Sequence, residues 1–349
     1  MLKKFIAITL AAFMIFALCA CGESEPPINK DKNNQDSQAQ SGESETTTEP
    51  LKIVSTIFPQ YDWVREIIGE KSNNFELILL ADSAADLHSY DPSIADILTI
   101  SKCDLFIYVG GHSDDWVEDV LKTADNPDML VINLMEELGD AVKMERLTEG
   151  QEHVCDEECE EEHDEDGELI FHEDEHVWTS LKNTQLLCSP IADAVVSLDP
   201  ENEDVYRENF DDYIGRLSSL DAKYQDAVAS AEADTLVFAD RFPFLYLVDD
   251  YALTHYAAFT GCAAESEAAI STIVILARKI DELGLGMVMV TESSDKAIAE
   301  TIISNTESRN QQILVLNAMQ SVTADDIKNG VTYLSIMESN LEVLKEALG

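Results

Sequence analysis

The sequence predicts an α/β protein of two lobes, each a mostly parallel sheet flanked by helices, joined by one long rigid helix with a cleft between the lobes. Three observations predict it. Short apolar runs alternate with helix-length amphipathic segments from Leu51 onward, the pattern of parallel strands connected by covering helices. The chain has 349 residues, and the part beyond residue 50 is enough for two lobes of about 150 residues each. Between the halves, the stretch 200–231 carries Val205, Tyr206, Phe210, Tyr213, Ile214, Leu217 and Leu220 at spacings of three and four. That is the apolar stripe of a single amphipathic helix about 45 Å long.

In the first lobe, strands are expected at 51–55, 75–80, 104–109 and 129–133. Helices fill the intervals, and the first ends at Gly69, a residue suited to the left-handed turn after a helix. A helix-like stretch follows at 184–197. In the second lobe, strands at 235–239, 255–259, 287–291 and 313–316 alternate with helices, and one last helix covers 324–348. The lobes read as one design used twice. The expected division is an N-terminal lobe at 51–198 that includes an acidic loop at 149–175, a linking helix at 199–232 and a C-terminal lobe at 233–349.

Ahead of the lobes, residues 1–20 place Lys3 and Lys4 before an apolar run and then small residues, the order of an export signal peptide. The run is shorter than the about 20 residues that cross a bilayer core, so it is expected to be removed rather than to span. Leu18-Cys19-Ala20-Cys21 before Gly22 resembles the lipobox of bacterial lipoproteins. This implies that Cys21 is the acylated first residue of the mature protein, anchored to the cell membrane outside the cytoplasm. Residues 22–50 are mostly Ser, Gln, Asn, Thr, Glu and Pro. They cannot bury enough apolar surface to offset their ordering entropy, so 21–50 reads as a lipidated cysteine and a disordered stalk.

A formal charge of −47 excludes nucleic acid as a partner, because phosphate contacts need clustered Lys and Arg. Strong acidity suits a cationic ligand, and it equally suits solubility alone. Cys103 and Cys188 lie in apolar contexts and read as buried small hydrophobes. Cys155 and Cys159 are close enough for joint chemistry, and an extracytoplasmic compartment permits a disulfide there.

His88 lies in a loop after a strand and just before a helix expected near Pro92, where ligands of an α/β lobe gather. It reads equally as a metal ligand or as a hydrogen-bonded loop histidine. His172-Glu173-Asp174-Glu175-His176 matches the H-E-x-x-H signature of zinc proteases. That signature needs a helix with an apolar stripe, which three adjacent acids do not provide. His176 itself precedes Val177 and Trp178, so it can leave the acidic loop and enter the fold. Around it, His153, Cys155, Cys159, His163 and His172 are set among dense Asp and Glu with no Lys or Arg from 147 to 181. Such a loop is expected to lack regular structure and to recruit metal weakly, since imidazole and thiolate favour zinc and carboxylates raise the local cation concentration. No nucleotide-binding glycine loop and no G-x-S-x-G elbow is present in the sequence.

Together with the signal, lipobox and long helix, three segments carry a resemblance: Val54-Ser55-Thr56-Ile57-Phe58-Pro59, Asp86-Leu87-His88-Ser89-Tyr90-Asp91-Pro92 and Asp174-Glu175-His176-Val177-Trp178. They resemble the zinc and manganese substrate-binding lipoproteins of bacterial ABC transporters, the ZnuA-like family, over about 51–348. The resemblance implies metal held between the lobes, a membrane permease with its cytoplasmic ATPase as partners, and a monomeric receptor. It implies His88 and His176 as the first two metal ligands. Asp240, before the aromatic pattern Phe242-Pro243-Phe244-Leu245-Tyr246, falls at the third, and the fourth falls near Asn317. Glu265 and Glu292 read as alternative ligands, as supports behind a ligand, or as ordinary surface acids. Two imidazoles and a carboxylate accept Zn2+ and tolerate Mn2+. The histidine-bearing acidic loop resembles the zinc members and favours zinc.

Two other classes compete with a transport receptor. A surface adhesion lipoprotein would use surface that sequence does not display. A zinc-dependent hydrolase would need an open coordination position and a placed general base, and no base is indicated outside the discounted protease motif. The expectation is therefore that the protein is not an enzyme.

Overall fold

A computed structural model describes residues 49–81, 87–149, 151, 172–262 and 268–349. The signal, Cys21, the stalk, most of the acidic loop with His153, Cys155, Cys159 and His163, and Glu265 lie outside the described residues.

The first sheet holds β1 (Leu51–Ser55), β2 (Phe75–Leu79), β3 (Leu105–Tyr108) and β4 (Leu130–Asn133), all parallel, in the order β2-β1-β3-β4. The helices among them are α1 (Phe58–Ile68), α2 (Ile94–Ile100), α3 (Trp116–Leu121) and α4 (Leu134–Leu138). Then come α5 (Leu181–Leu198) and α6 (Glu203–Ala229). The second sheet holds β5 (Thr235–Phe238), β6 (Thr254–Ala257), β7 (Met287–Thr291) and β8 (Gln312–Leu316), again parallel, in the order β6-β5-β7-β8. Its helices are α7 (Leu245–Asp250), α8 (Ile270–Leu283), α9 (Ala297–Ser304), α10 (Ala324–Lys328) and α11 (Tyr333–Leu348). The two sheets thus repeat one strand order, as the sequence pattern implied.

These strands read as continuous apolar runs because helices cover both faces of each sheet. In β3, Leu105, Phe106 and Ile107 are all buried. Leu105 and Ile107 face one core and Phe106 faces another, as the two-residue period of a strand requires. Gly69 ends α1 with φ +50°. A Cβ there would stand 2.5 Å from Asn209 Nδ2, and that amide donates to the Ile67 carbonyl at 2.9 Å. Glycine thus lets α6 cap an open carbonyl of α1.

The 27 residues of α6 make a rod about 40 Å long. Tyr206 meets Phe75 of the first lobe at 6.0 Å, and Tyr224 stacks on Tyr251 of the second at 5.2 Å. A single apolar core runs through both lobes, from Ile53 to Leu348, while the outer sheet faces carry separate smaller clusters. Hydrogen bonds cross the junction as well: Trp178 Nε1 donates to the Ala318 carbonyl at 2.8 Å, and Tyr333 donates to the Trp178 carbonyl at 2.8 Å. The lobes are therefore welded by a shared core, which fixes their facing strand ends against each other.

One element departs from expectation. The final helix is two, α10 and α11, because Gly330 takes φ +90° and Thr332 caps α11 by accepting from Ser335 N at 3.0 Å. The apolar period runs through 324–348 and does not register this break; only the glycine and the cap do. Among the described residues, no helix is long and apolar enough to cross a membrane.

Candidate metal centre

The loops that meet between the lobes leave the carboxyl ends of parallel strands, as they do in open α/β sheets generally. His88 sits in a short turn (Leu87–Ser89) after β2, Cys262 follows β6, and Gln320 follows β8. His176 enters from the far end of the acidic loop, just before the turn Val177–Thr179 that leads into α5.

The Nε2 atoms of His88 and His176 face each other at 3.1 Å. One ligand atom each from His88, His176 and Cys262 lies within 4.8 Å of the others. His176 is fully buried. Its Nδ1 stands 3.0 Å from Asp174 Oδ1, which also accepts from the His176 backbone N–H at 2.8 Å. His88 Nδ1 stands 2.9 Å from Ser113 Oγ and 3.4 Å from Glu175 Oε2. Each imidazole thus has its Nδ1 directed at a polar partner and its Nε2 presented to the cleft, the arrangement that orients a metal-binding histidine.

The support is built into the backbone. Ser113 N donates to Glu175 Oε1 at 2.8 Å. Gly111 has φ +78°, and a Cβ there would lie 2.6 Å from Glu175 Oε1. Only glycine lets that loop approach the carboxylate.

Charge around the group is negative and poorly solvated. Burial lowers the basicity of His176, but the Asp174, Glu175 and Glu145 carboxylates together outweigh it and hold the imidazole above its usual range. Burial pushes the Glu175 carboxyl up, while hydrogen bonds from His88 and Ser113 outweigh that and hold it down. Burial, then the charge of Glu145, pushes the Cys262 thiol far above its ordinary range; Glu145 Oε1 also accepts the Cys262 N–H at 2.8 Å. Two imidazoles and a sulfur in such surroundings fit a divalent cation that can neutralise the nearby acids.

The structure brings His88 and His176 together but does not bring Asp240 to them. Asp240 Oδ2 accepts from Thr291 N at 3.1 Å and Thr291 Oγ1 at 2.7 Å, and Oδ1 from Arg241 N at 2.8 Å. It fastens the end of β5 to that of β7, and the third group in reach of the imidazoles is Cys262. Asn317 is likewise turned into its own loop, with Oδ1 accepting from Met319 N at 2.7 Å. Glu292 accepts from Ala318 N at 2.8 Å and Gln320 N at 2.9 Å. His172 is exposed, its ring stacked on His112 with centroids 5.6 Å apart. Residues 172–176 lie outside any helix, and Glu173 forms an antiparallel bridge with Met144. The two histidines of the protease-like motif therefore share no helical face. Cys262 had no role in the sequence reading; its position in a loop just past β6 was the available signal.

Two parallel-sheet lobes that share a core and bring two histidines and a cysteine together between them define a two-lobe α/β protein with a group that could hold a metal ion. Residues 53–347 match the family model ZnuA, described as zinc-uptake complex component A, periplasmic. The chain belongs to that family, as the resemblance read from its motifs implied. It is 29% identical over 297 residues to the zinc-binding lipoprotein AdcA of Streptococcus pneumoniae R6, covering 85% of this chain but 55% of that protein. The chain thus spans about half the length of AdcA. It is 25% identical over 352 residues to the high-affinity zinc uptake system protein ZnuA of Bacillus subtilis, covering 100% of this chain and 99% of the other. The crystal structure of the Zn(II)-bound ZnuA-like domain of S. pneumoniae AdcA superposes with a TM-score of 0.64 at 25% identity, covering 86% of this chain and 99% of that one. The family is one of uptake components, so the expectation that the chain is not an enzyme holds.

Proposed function

We propose that the protein is the substrate-binding component of a zinc ABC importer, capturing Zn2+ outside the membrane and delivering it to a permease driven by a cytoplasmic ATPase. The observation that carries this reading is the convergence of His88, His176 and Cys262 within 4.8 Å, with both imidazoles oriented from behind. A thiolate and two imidazoles suit zinc, whereas manganese is served by carboxylate and water. Calorimetry tests this with zinc and manganese. One tight equivalent of zinc is expected, with Cys262→Ser weakening it by more than about 100-fold, beyond what supporting residues contribute. Equal zinc affinity in Cys262→Ser removes the thiolate from the site, and tighter binding of manganese than of zinc overturns the choice of metal.

The receptor is held at the membrane by acylation of Cys21, in keeping with the lipoprotein name of the AdcA relative. It works as a monomer, which light scattering reads; a mature chain with unmodified Cys21 in mass spectrometry counts against the anchor. The acidic loop 149–175, with His153, Cys155, Cys159, His163 and His172, collects zinc for the cleft. A loop that must be ordered on binding loses interaction energy to entropy, so its affinity is weaker. Deleting 152–172 is expected to remove the weakly bound zinc and keep the tight equivalent. Loss of the tight equivalent shows instead that the loop supplies primary ligands.

A further inference from the structure

Cys262 belongs to the second lobe, while His88 and His176 both enter from the first-lobe part of the chain, so the loop after β6 has to be held in place against them. Phe259 N still donates to the Asp240 carbonyl at 3.3 Å, and past it the chain leaves the sheet. It is gripped again at Cys262, whose backbone N–H donates to Glu145 Oε1 at 2.8 Å. We propose that Glu145 is a positioning residue of the metal site: its carboxylate, carried on the stem of the acidic loop, holds the Cys262 backbone so that the sulfur meets the two imidazoles. This rests on the ligand set proposed above.

The stem is a defined element. Its two sides, 143–145 and 172–174, run antiparallel: Glu145 N donates to the His172 carbonyl at 2.9 Å, Asp174 N donates to the Lys143 carbonyl at 2.7 Å, and Met144 pairs with Glu173 between them. Tyr246 of α7 fastens both sides at once, its hydroxyl accepting from Lys143 N at 3.1 Å and donating to the Asp174 carbonyl at 2.6 Å. Two side chains leave this stem for the metal site. Asp174 Oδ1 stands behind His176 at 3.0 Å, and Glu145 Oε1 stands behind Cys262. One short piece of backbone thus sets an imidazole from one lobe and a sulfur from the other.

The loop that carries Cys262 runs against the His176 ring. A Cβ at Gly261 would lie 2.9 Å from the Phe242 carbonyl oxygen and 3.1 Å from His176 Cε1 and Nδ1, so only a residue without a side chain allows this approach. With no side chain at 261 to key the loop in place, the hold falls to the backbone, and an N–H donating to a carboxylate makes a stronger bond than one between neutral groups. The group that converges within 4.8 Å is His88, His176 and Cys262. Glu145 stands outside it and acts through the Cys262 backbone.

Cobalt(II) and zinc titrations of the full chain, Glu145→Ala and Glu145→Gln provide the test. Wild type is expected to show a thiolate-to-cobalt charge-transfer band with one equivalent of Co2+. Glu145→Ala leaves the Cys262 N–H without its acceptor; the band is expected to weaken and shift, and zinc to bind about 10- to 100-fold more weakly, the range for a group that supports a metal ligand. Glu145→Gln keeps an oxygen acceptor and is expected to restore the band, with zinc affinity within about tenfold of wild type. An unchanged band and unchanged zinc affinity in Glu145→Ala overturn the role of Glu145 while leaving Cys262 a ligand. Equal impairment of Glu145→Gln and Glu145→Ala in both readouts means that the charge acts and not the hydrogen bond, which also overturns the proposal. A wild-type Co2+ complex without the charge-transfer band removes Cys262 from the site, and the ligand set and this proposal fall together. Metal-free melting curves of the three proteins, expected to coincide, separate a loss of positioning from a loss of fold.

Discussion

Replacing His88 and His176 together with alanine is expected to abolish stoichiometric tight zinc binding and, with it, the rise in melting temperature that zinc produces. The reason is geometric. The two Nε2 atoms are 3.1 Å apart and are oriented from behind by Asp174 on one ring and by Ser113 and Glu175 on the other. Without them Cys262 alone remains of the three converging side chains, too few ligands for a tight site. A ligand that binds only the folded state stabilises it by RT ln(1 + [L]/Kd), about 4 kcal/mol at a thousandfold excess over Kd. For a chain of this size that corresponds to a shift of about 6 °C. Differential scanning fluorimetry with and without zinc, paired with calorimetry, reads both effects. A double variant that still takes up one tight equivalent would falsify the site.

Trp178→Ala is expected to lower the metal-free stability by about 3–5 kcal/mol, the range for deleting a large buried aromatic side chain. Trp178 is fully buried and its ring lies 5.3 Å from that of His176. Its indole N–H holds the Ala318 carbonyl, and its own carbonyl receives the Tyr333 hydroxyl. The cavity would thus open where the segment that carries His176 meets the turn after β8 of the other lobe. Trp178→Phe keeps most of the apolar contact but leaves the Ala318 carbonyl without its donor, so a smaller loss of about 1–3 kcal/mol is expected. Urea denaturation of the three proteins orders them. A loss below about 1 kcal/mol in Trp178→Ala would mean that the junction does not depend on this residue.

The strands were legible because both sheets are covered on both faces, so their residues form short uninterrupted apolar runs that no surface strand would tolerate. The long helix was legible from its three-and-four spacing, and Tyr206, Tyr213, Leu217 and Leu220 are indeed its buried stripe. The division of 324–348 into two helices was missed because a hydrophobic period continues across a capped turn.

By itself, the sequence determined the two-lobe α/β plan and drew attention to His88 and His176. The plan follows from local chemistry, because apolar periodicity selects strands and helices; His88 stood out because it lies past a strand, where an α/β lobe gathers ligands, and the family resemblance of their segments paired it with His176. Only the tertiary structure decided what stands beside those imidazoles. Asp240 and Cys262 both follow strands of the second lobe, and nothing in spacing along the chain separates them. What does separate them is the way the shared core fixes one lobe against the other. The close β5–β7 approach gives the Asp240 carboxylate to Thr291 and Arg241, while the loops after β6 and β8 carry Cys262 and Gln320 to the histidines. A ligand set depends on distances of a few ångströms between segments far apart in the chain, and packing sets those distances.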